Sequence, residues 1–464
     1  MDSSDEAPYF CMADTRCRLC QFELEEYDLV VARLLVRSPR CMLEGRRVPF
    51  FHNDCLDFRQ YDISDALIAA GDYAFDPPGH ERNRRSRRIK RLLAPKLRDE
   101  LQIRLPAEIL MTIAGFLVRE CAVITTETQS LGTDVSDMTV DLTQDVYVSY
   151  TTIEGLRYVK SISNTAPKLC NEDHNRLLSK QGDSVDKIWI AEDYRGIRFV
   201  EFCPADTSLA GPTPIVKSWW RTISTSCDVD KITIKFDGLK VRDILIYNEA
   251  IPDDASDYVG WVSPEHPNDI IDITTFDQVN SFPERLMMTF FNCNTNDITG
   301  YTAVTSGISV AMIHAHENDS TGFYLDMDAA FPRDFFIYMP LDEGEFVTEI
   351  CRRYALAAGD RISACLVFIT NKGRNTLFGT SGPPESCLAL DKIITPSPNG
   401  TQIWFNDSTS VHRKSLRYIA FDELEPPIQR PFPPSLIPNP PCFWTHNTES
   451  WTAHELENTI SELH

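Results

Sequence analysis

Cys17 and Cys20 make a Cys-x2-Cys pair, and His52 and Cys55 make a His-x2-Cys pair after 31 intervening residues. A two-residue spacer lets a tight knuckle turn both sulfurs toward one point, and a His-x2-Cys pair at a helix start puts both ligands on one side. Three thiols and an imidazole at these spacings suit tetrahedral zinc. With all four positions filled by protein, no coordination site stays open for a substrate. The expectation is a structural zinc ion held by Cys17, Cys20, His52 and Cys55; the competing reading is ordinary thiols and a surface histidine in a Cys-rich chain. Cys11 and Cys41 are spare thiols that could replace one ligand.

Other reactive constellations are absent from the sequence. There is no Gly-rich phosphate loop, Gly-x-Ser-x-Gly elbow, His-Glu-x-x-His pair or kinase signature, so the chain is not expected to be an enzyme and no catalytic residue is nominated. His314 and His316, two apart after an apolar run, would share one face of a strand. With no Cys pair or further His at a telling spacing, they read as structural histidines.

The two halves of the metal site need elements to hold them. Residues 28–36, rich in Val and Leu, are expected to form a hairpin between the knuckle and a helix carrying Cys55. A segment of about 50 residues with so small a core gains much of its stability from its metal. The whole chain of 464 residues has room for two or three folded units. Its 42% hydrophobic and 24% charged residues are a globular composition that argues against wholesale disorder. The acidic start precedes no run of signal-peptide length, and the longest apolar stretches, 109–118 and 362–370, fall short of a membrane span. A cytoplasmic or nuclear protein is expected, its 14 cysteines being thiols or metal ligands rather than disulfides.

Charge is unevenly placed. Residues 82–98 hold nine of the 45 Lys/Arg and no acid, so the remaining 36 oppose 68 Asp/Glu, a balance of −32. An acidic body repels phosphate backbones and disfavours nucleic acid as a partner. The basic run reads as a solvated helix or linker, an import signal or a phosphate-binding patch.

Along the chain the reading is 1–75 zinc-binding module, 76–100 basic linker, 101–130 helical segment, 131–330 β-rich domain, 331–425 second β domain and 426–464 Pro-rich tail. The β reading rests on short runs of β-branched and aromatic residues such as 187–191, 231–236, 335–339 and 364–370, bounded by Gly, Pro, Asn and Asp. Candidate seams are the polar stretch 316–321 and residues 328–333, the second preferred because Pro332 interrupts any strand there.

From Leu105 the chain runs Leu105-Pro106-Ala107-Glu108-Ile109-Leu110, followed by Ile113 and Leu117 at helical spacing. Pro106 suits a first helical turn and Glu108 its positive end. The segment 105–117 resembles the opening of an F-box; residues 125–139 are polar and carry no clear helix signal. The resemblance implies that Leu105, Pro106, Ile109, Leu110, Ile113 and Leu117 dock on a Skp-type adaptor. The chain would then be the non-catalytic substrate adaptor of a cullin-type ubiquitin ligase.

Two further resemblances accompany it. The N-terminal segment resembles half of a LIM-type or treble-clef zinc module. Residues 346–422, with Thr370-Asn371-Lys372-Gly373-Arg374 and Phe378-Gly379, resemble a jacalin-like β-prism, although the terminal run 417–422 lacks that family's glycine. Glu154-Gly155-Leu156-Arg157-Tyr158 and the block 192–198 look like those of uncharacterised fungal F-box proteins. The implied fold is mainly β, with a zinc module, a small helical F-box segment and a β-sandwich or β-prism body that captures an unknown protein client. The alternative is an intracellular jacalin-like lectin or β scaffold without a ligase role.

Overall fold

In the strand Lys231–Phe236 the buried Ile232 and Ile234 alternate with the outward Lys231, Thr233 and Lys235. A pleated strand puts successive side chains on opposite faces, so this alternation makes one apolar face per strand. The computed structural model carries that logic through a mainly β chain. It describes most of residues 15–408, with 11–12, 415–421, 428–430 and 443–444; the longer stretches it leaves undescribed are 1–10, 33–46, 130–136, 167–173, 179–184, 205–211, 247–258, 280–284, 357–361, 380–389, 409–414, 422–427, 431–442 and 445–464. Most of the Pro-rich tail, and residues 33–36 of the expected hairpin, therefore lie outside the described residues.

The chain divides into two compact units, one of residues 1–75, 82–209 and 222–250, the other of 76–81, 210–221 and 251–464. The stretch 131–330 contributes to both, and residues on either side of 328–333 belong to the second.

In the first unit, helices α1 (Asn53–Asp57) and α2 (Asp65–Ala70) follow the knuckle, and α3 (Gly79–Leu101), α4 (Ala107–Phe116) and α5 (Val118–Gln129) follow them. The basic segment 76–100, set down above as a linker, folds mostly as α3. Arg and Lys are good helix formers, and no Gly or Pro interrupts the run before Pro95. The polar stretch after residue 117 is helical as well. Thr125, Thr126 and Thr128 turn their hydroxyls back to the carbonyls of Cys121, Ala122 and Ile124 at 2.7, 3.0 and 2.7 Å, so hydroxyls that would otherwise compete for the backbone are satisfied inside α5. A bend of 66° separates α4 from α5; no single helix among the described residues is long and apolar enough to cross a membrane.

Three antiparallel assemblies complete this unit: Leu156–Ser163 with Val146–Ile153 and His174–Leu178; Val185–Asp193 with Gly196–Pro204; and Val241–Ile246 with Lys231–Phe236 and Met138–Asp141. Val148, Ile162, Ile188, Ile190, Val200, Ile232 and Ile244 pack between them.

One polar cluster is buried among these parts. Glu154 and Gly155 form a two-residue turn at φ +50° and +77° between the strands that close at Ile153 and Leu156. Glu154 accepts two hydrogen bonds from Arg85 of α3, at 2.9 and 2.6 Å, and one from Arg195 at 2.6 Å. Arg85 and Arg195 are both about 1% exposed. A Cβ on Gly155 would be strained at φ +77° and would sit 3.0 Å from the Leu92 side chain, which would have to give way, so the turn under α3 favours glycine there.

The second unit holds three sheets and helix α6 (Thr321–Ala330). One runs Val259–Trp261, Leu286–Cys293, Thr401–Asn406, Tyr418–Ala420, Ile271–Asp272, Asp277–Gln278. Another runs Ser309–His316, Gly300–Ser306, Phe335–Pro340, Phe443–Trp444, and the third Asn375–Phe378, Ile362–Thr370, Val347–Leu356, Leu390–Ile394, Ile428–Arg430. The hairpin after Thr370 turns at Gly373, φ +78°, as the Lys372-Gly373 chemistry suggests. Strands Thr401–Asn406 and Tyr418–Ala420, however, pair with residues 286–293 and 271–272 outside the jacalin-like stretch. Phe291, Tyr301, Phe368, Phe378 and Phe405 fill the core. The Asn294 side chain bridges Val347 N–H at 2.8 Å and Val347 O at 2.7 Å.

Burial alone would raise the Glu154 carboxyl, but Arg195 and Arg85 draw it down from 4.5 to about 2. A depressed carboxyl stabilises the fold above its unfolded pKa and loses that contribution as pH falls. The Glu154 contribution should therefore be complete above about pH 4.5 and fade as pH approaches about 2. Glu154→Gln, which leaves two buried guanidinium groups without their anion, should cost about 3–5 kcal/mol at neutral pH. Denaturant melts of both proteins from pH 7 to 2 measure this; a gap that persists undiminished at pH 2 would contradict it.

Candidate metal centre

The knuckle is built by the backbone of residues 17–22. Gln21 N–H donates to Cys17 O at 2.8 Å and Cys17 N–H to Phe22 O at 2.9 Å. Gln21 takes φ +63°, a conformation a Cβ resists. Tertiary bonds hold it there: its side-chain amide donates to Ala70 O at 3.0 Å, and the Tyr73 hydroxyl donates to Gln21 O at 2.7 Å. Gly71 closes against the knuckle, where a Cβ would meet Arg18 O at 2.1 Å.

The other half is a strand that runs into a helix. Val30–Ala32 pairs antiparallel with Phe50–His52, His52 standing opposite Val30, and α1 starts at the next residue with Cys55 in its first turn. Of the hairpin expected over 28–36, residues 30–32 form a strand that pairs with 50–52, and the helix expected to carry Cys55 follows directly.

Cys17, Cys20, His52 and Cys55 are all buried, and their ligand atoms lie within 4.8 Å of one another. His52 Nδ1 is 3.3 Å from Cys20 Sγ and 3.6 Å from Cys55 Sγ. A tetrahedral ion with bonds of about 2.0–2.3 Å sets its ligand atoms roughly 3.5–3.8 Å apart, so the cluster has the right size. The three cysteines are free thiols, not disulfides. Phe22 N–H and His52 N–H lie 3.4 Å from the sulfurs of Cys20 and Cys17, donors that favour thiolate. The cluster can hold a metal ion, and its four protein ligands close the sphere.

Around these ligands stand residues that spacing alone does not reveal. His52 Nε2 lies 3.1 Å from Asp28 Oδ2 and 3.2 Å from Glu23 O. Arg119 of α5 grips the same carboxylate through both Nη atoms at 2.8 and 3.2 Å. Arg85 donates to Cys20 O at 2.8 Å and lies over the Phe22 ring. The aliphatic surround comprises Leu19, Phe51, Leu67, Ile89, Val118, Ala122 and Val123. The one sequence signal for Asp28 is an acid in the loop just before the hairpin.

The remaining sequence candidates fall as follows. Cys41 lies outside the described residues; Cys11 is placed by backbone only, beside Arg47. His316 Nε2 is 2.6 Å from the Thr302 hydroxyl and 3.2 Å from that of Tyr324, and His314 stacks on Phe323, a polar core inside the second unit. On α4, Leu110 is buried against Ala94 and Ala114. Leu105, Ile113 and Leu117 are half-buried, and Pro106 and Ile109 are exposed. Leu110 is therefore an anchor of α4 on α3. Phe116, not singled out above, is 78% exposed. The chain matches no family model, and no curated protein matches it.

Without metal the thiols differ sharply. Sulfur hydrogen bonds from Cys20 and Cys55 hold the Cys17 thiol down. Burial pushes the Cys20 thiol up, and the hydrogen bonds to Cys17 and Cys20 push that of Cys55 up. Metal takes thiolates, so at neutral pH its binding displaces protons from the cluster, and its affinity falls as pH is lowered. Calorimetric titration of metal-free protein in two buffers of different ionisation enthalpy counts those protons; a count near zero would show that the cluster is not the site.

Proposed function

We propose that the chain is a non-catalytic adaptor of a cullin-type ubiquitin ligase, docking on a Skp-type protein through α4 and presenting its β body to a protein client. The observation that carries this reading is the outward face of α4. Pro106, Ile109, Ile113 and Phe116 recur at helical spacing, Ile109 is 47% and Phe116 78% exposed, and the adjoining face is taken by the buried Leu110 and Ala114. An aliphatic and aromatic stripe on one helix is the form in which helix-in-groove partners bind, with a few buried anchors supplying most of the energy. The F-box-like order Leu105-Pro106-Ala107-Glu108 at its start supports the same assignment.

The metal in this reading is zinc, supported by three sulfurs and one nitrogen in a closed buried cluster. Elemental analysis of protein never exposed to chelator should give about one zinc per chain. For the jacalin-like stretch, the support is the hairpin turning at Gly373; we assign the β body to client capture because loops on a rigid β frame suit recognition. A balance of −32 outside the basic run fits clients with basic surfaces.

Co-expression with a Skp-type adaptor tests the assignment. The wild-type chain should co-purify near stoichiometrically, while Ile109→Ala and Phe116→Ala should each weaken capture by about 10–100-fold, or about 1.4–2.7 kcal/mol, with unchanged melting. Leu110→Ala should instead lower stability by roughly 2–5 kcal/mol as a core truncation. A folded wild-type chain that ignores the adaptor and binds a glycan array would reverse the assignment in favour of a lectin.

A further inference from the structure

The imidazole of His52 has two nitrogens with different tasks. Nδ1 faces the sulfurs of Cys20 and Cys55. Nε2 faces Asp28 Oδ2 and Glu23 O. A metal ion on Nδ1 requires that nitrogen to be bare, so the ring proton must sit on Nε2 and be donated to Asp28. Nε2 faces only acceptors, the Asp28 carboxylate and the Glu23 carbonyl, so the ring proton belongs on Nε2 and Nδ1 is left bare for a metal ion. An ion on Nδ1 would therefore fix the ring in the orientation that donates to Asp28.

Asp28 has few alternatives. Its Oδ2 also accepts the Glu25 N–H at 2.8 Å, and the Arg119 guanidinium closes on both carboxylate oxygens. Bidentate pairing fixes direction as well as distance, so a shift of Asp28 is passed to α5. On the same helix Val118, Ala122 and Val123 pack in the cluster that holds Cys17, Cys20 and Cys55. At its N-terminal end Cys121 N–H bonds to Leu117 O and Leu117 N–H to Ala114 O, tying α5 to α4.

We propose that Asp28 is a positioning residue that links the metal centre to α5 through Arg119, so that metal loading and the seating of α5 are one coupled equilibrium. By linkage the coupling is reciprocal: whatever loosens α5 weakens metal binding, even from a residue that touches no ligand. This goes beyond the adaptor reading and does not depend on it. It rests only on metal binding at the four-residue cluster.

The test uses the full chain with Zn2+ and Co2+, affinity being read by chelator competition and by the cobalt–thiolate absorption bands, and α5 by amide exchange over residues 118–129. Asp28→Ala should weaken metal binding by about 10–100-fold, as losses of a ligand's outer partner do. Asp28→Asn, whose amide oxygen still accepts from Nε2 but carries no charge for Arg119, should lose less. Arg119→Met should weaken metal binding several-fold and speed α5 exchange, and Arg119→Lys, which keeps the charge without the two-point grip, should fall between. Stripping metal from the wild type should speed the same amides. Arg119→Met and Arg119→Lys binding metal as tightly as wild type, or α5 exchange indifferent to metal, would overturn the coupling. A chain that takes up neither ion would overturn the metal centre with it. Adaptor capture is not read at all, so failure here and failure of the ligase assignment are separate results.

Discussion

Arg85 carries a full charge at 1% exposure, and the first unit folds around that constraint. An ion taken out of water costs several kcal/mol unless opposite charge and hydrogen bonds replace the solvent. Arg85 finds them in Glu154, and in the carbonyl of Cys20 at 2.8 Å. Neither is near in sequence, and each belongs to a different local structure: one to a β-turn, the other to the metal knuckle. Arg195 and the main chain of Glu154, which accepts from Arg88 at 3.1 Å, complete the arrangement. Glu154 holds φ +50° here, a conformation of order 1–3 kcal/mol for a residue with a Cβ, and its three guanidinium bonds account for its persistence.

Cys20 stands at the junction of two kinds of chemistry. Its sulfur belongs to the metal cluster, and its carbonyl oxygen to Arg85. The knuckle therefore offers its sulfurs to an ion on one side and meets a helix on the other. That division suits a module with so little core of its own. The aliphatic cluster around the ligands draws on Ile89 from α3 and Val118, Ala122 and Val123 from α5, so the metal segment borrows its hydrophobic shell from helices well downstream in sequence.

What could be read from the sequence was what depends on neighbours in sequence. Cys17 with Cys20 and His52 with Cys55 announce themselves by spacing, and Ile232 and Ile234 by alternation. The turn at Lys372-Gly373 follows from what glycine alone tolerates. The use of Arg85 could not be read, because nothing local separates it from the eight other cations between residues 82 and 98; only Glu154, 69 positions on, singles it out. Asp28 is hidden for the same reason, since its partner Arg119 lies 91 positions away. The basic segment was harder still. A run of Lys and Arg has high helix propensity and also resembles a solvated linker, and burial of one member decided between them.

The helix α4 shows why a list of apolar positions is not yet a surface. Ile109 and Leu110 are adjacent and similar in chemistry, yet one is 47% exposed and the other 1%. The 100° step between them allows it, with α3 supplying Ala94 against Leu110. Folding of this unit accounts for Leu110 and Ala114, whereas Ile109 and Phe116 forgo much of the roughly 1.5–3 kcal/mol that burial of each side chain would contribute. Single exposed apolar residues need no explanation, but Pro106, Ile109, Ile113 and Phe116 form a row along one helix face. That row, and not the sequence run from which it is drawn, is what supports assigning α4 to a partner's groove.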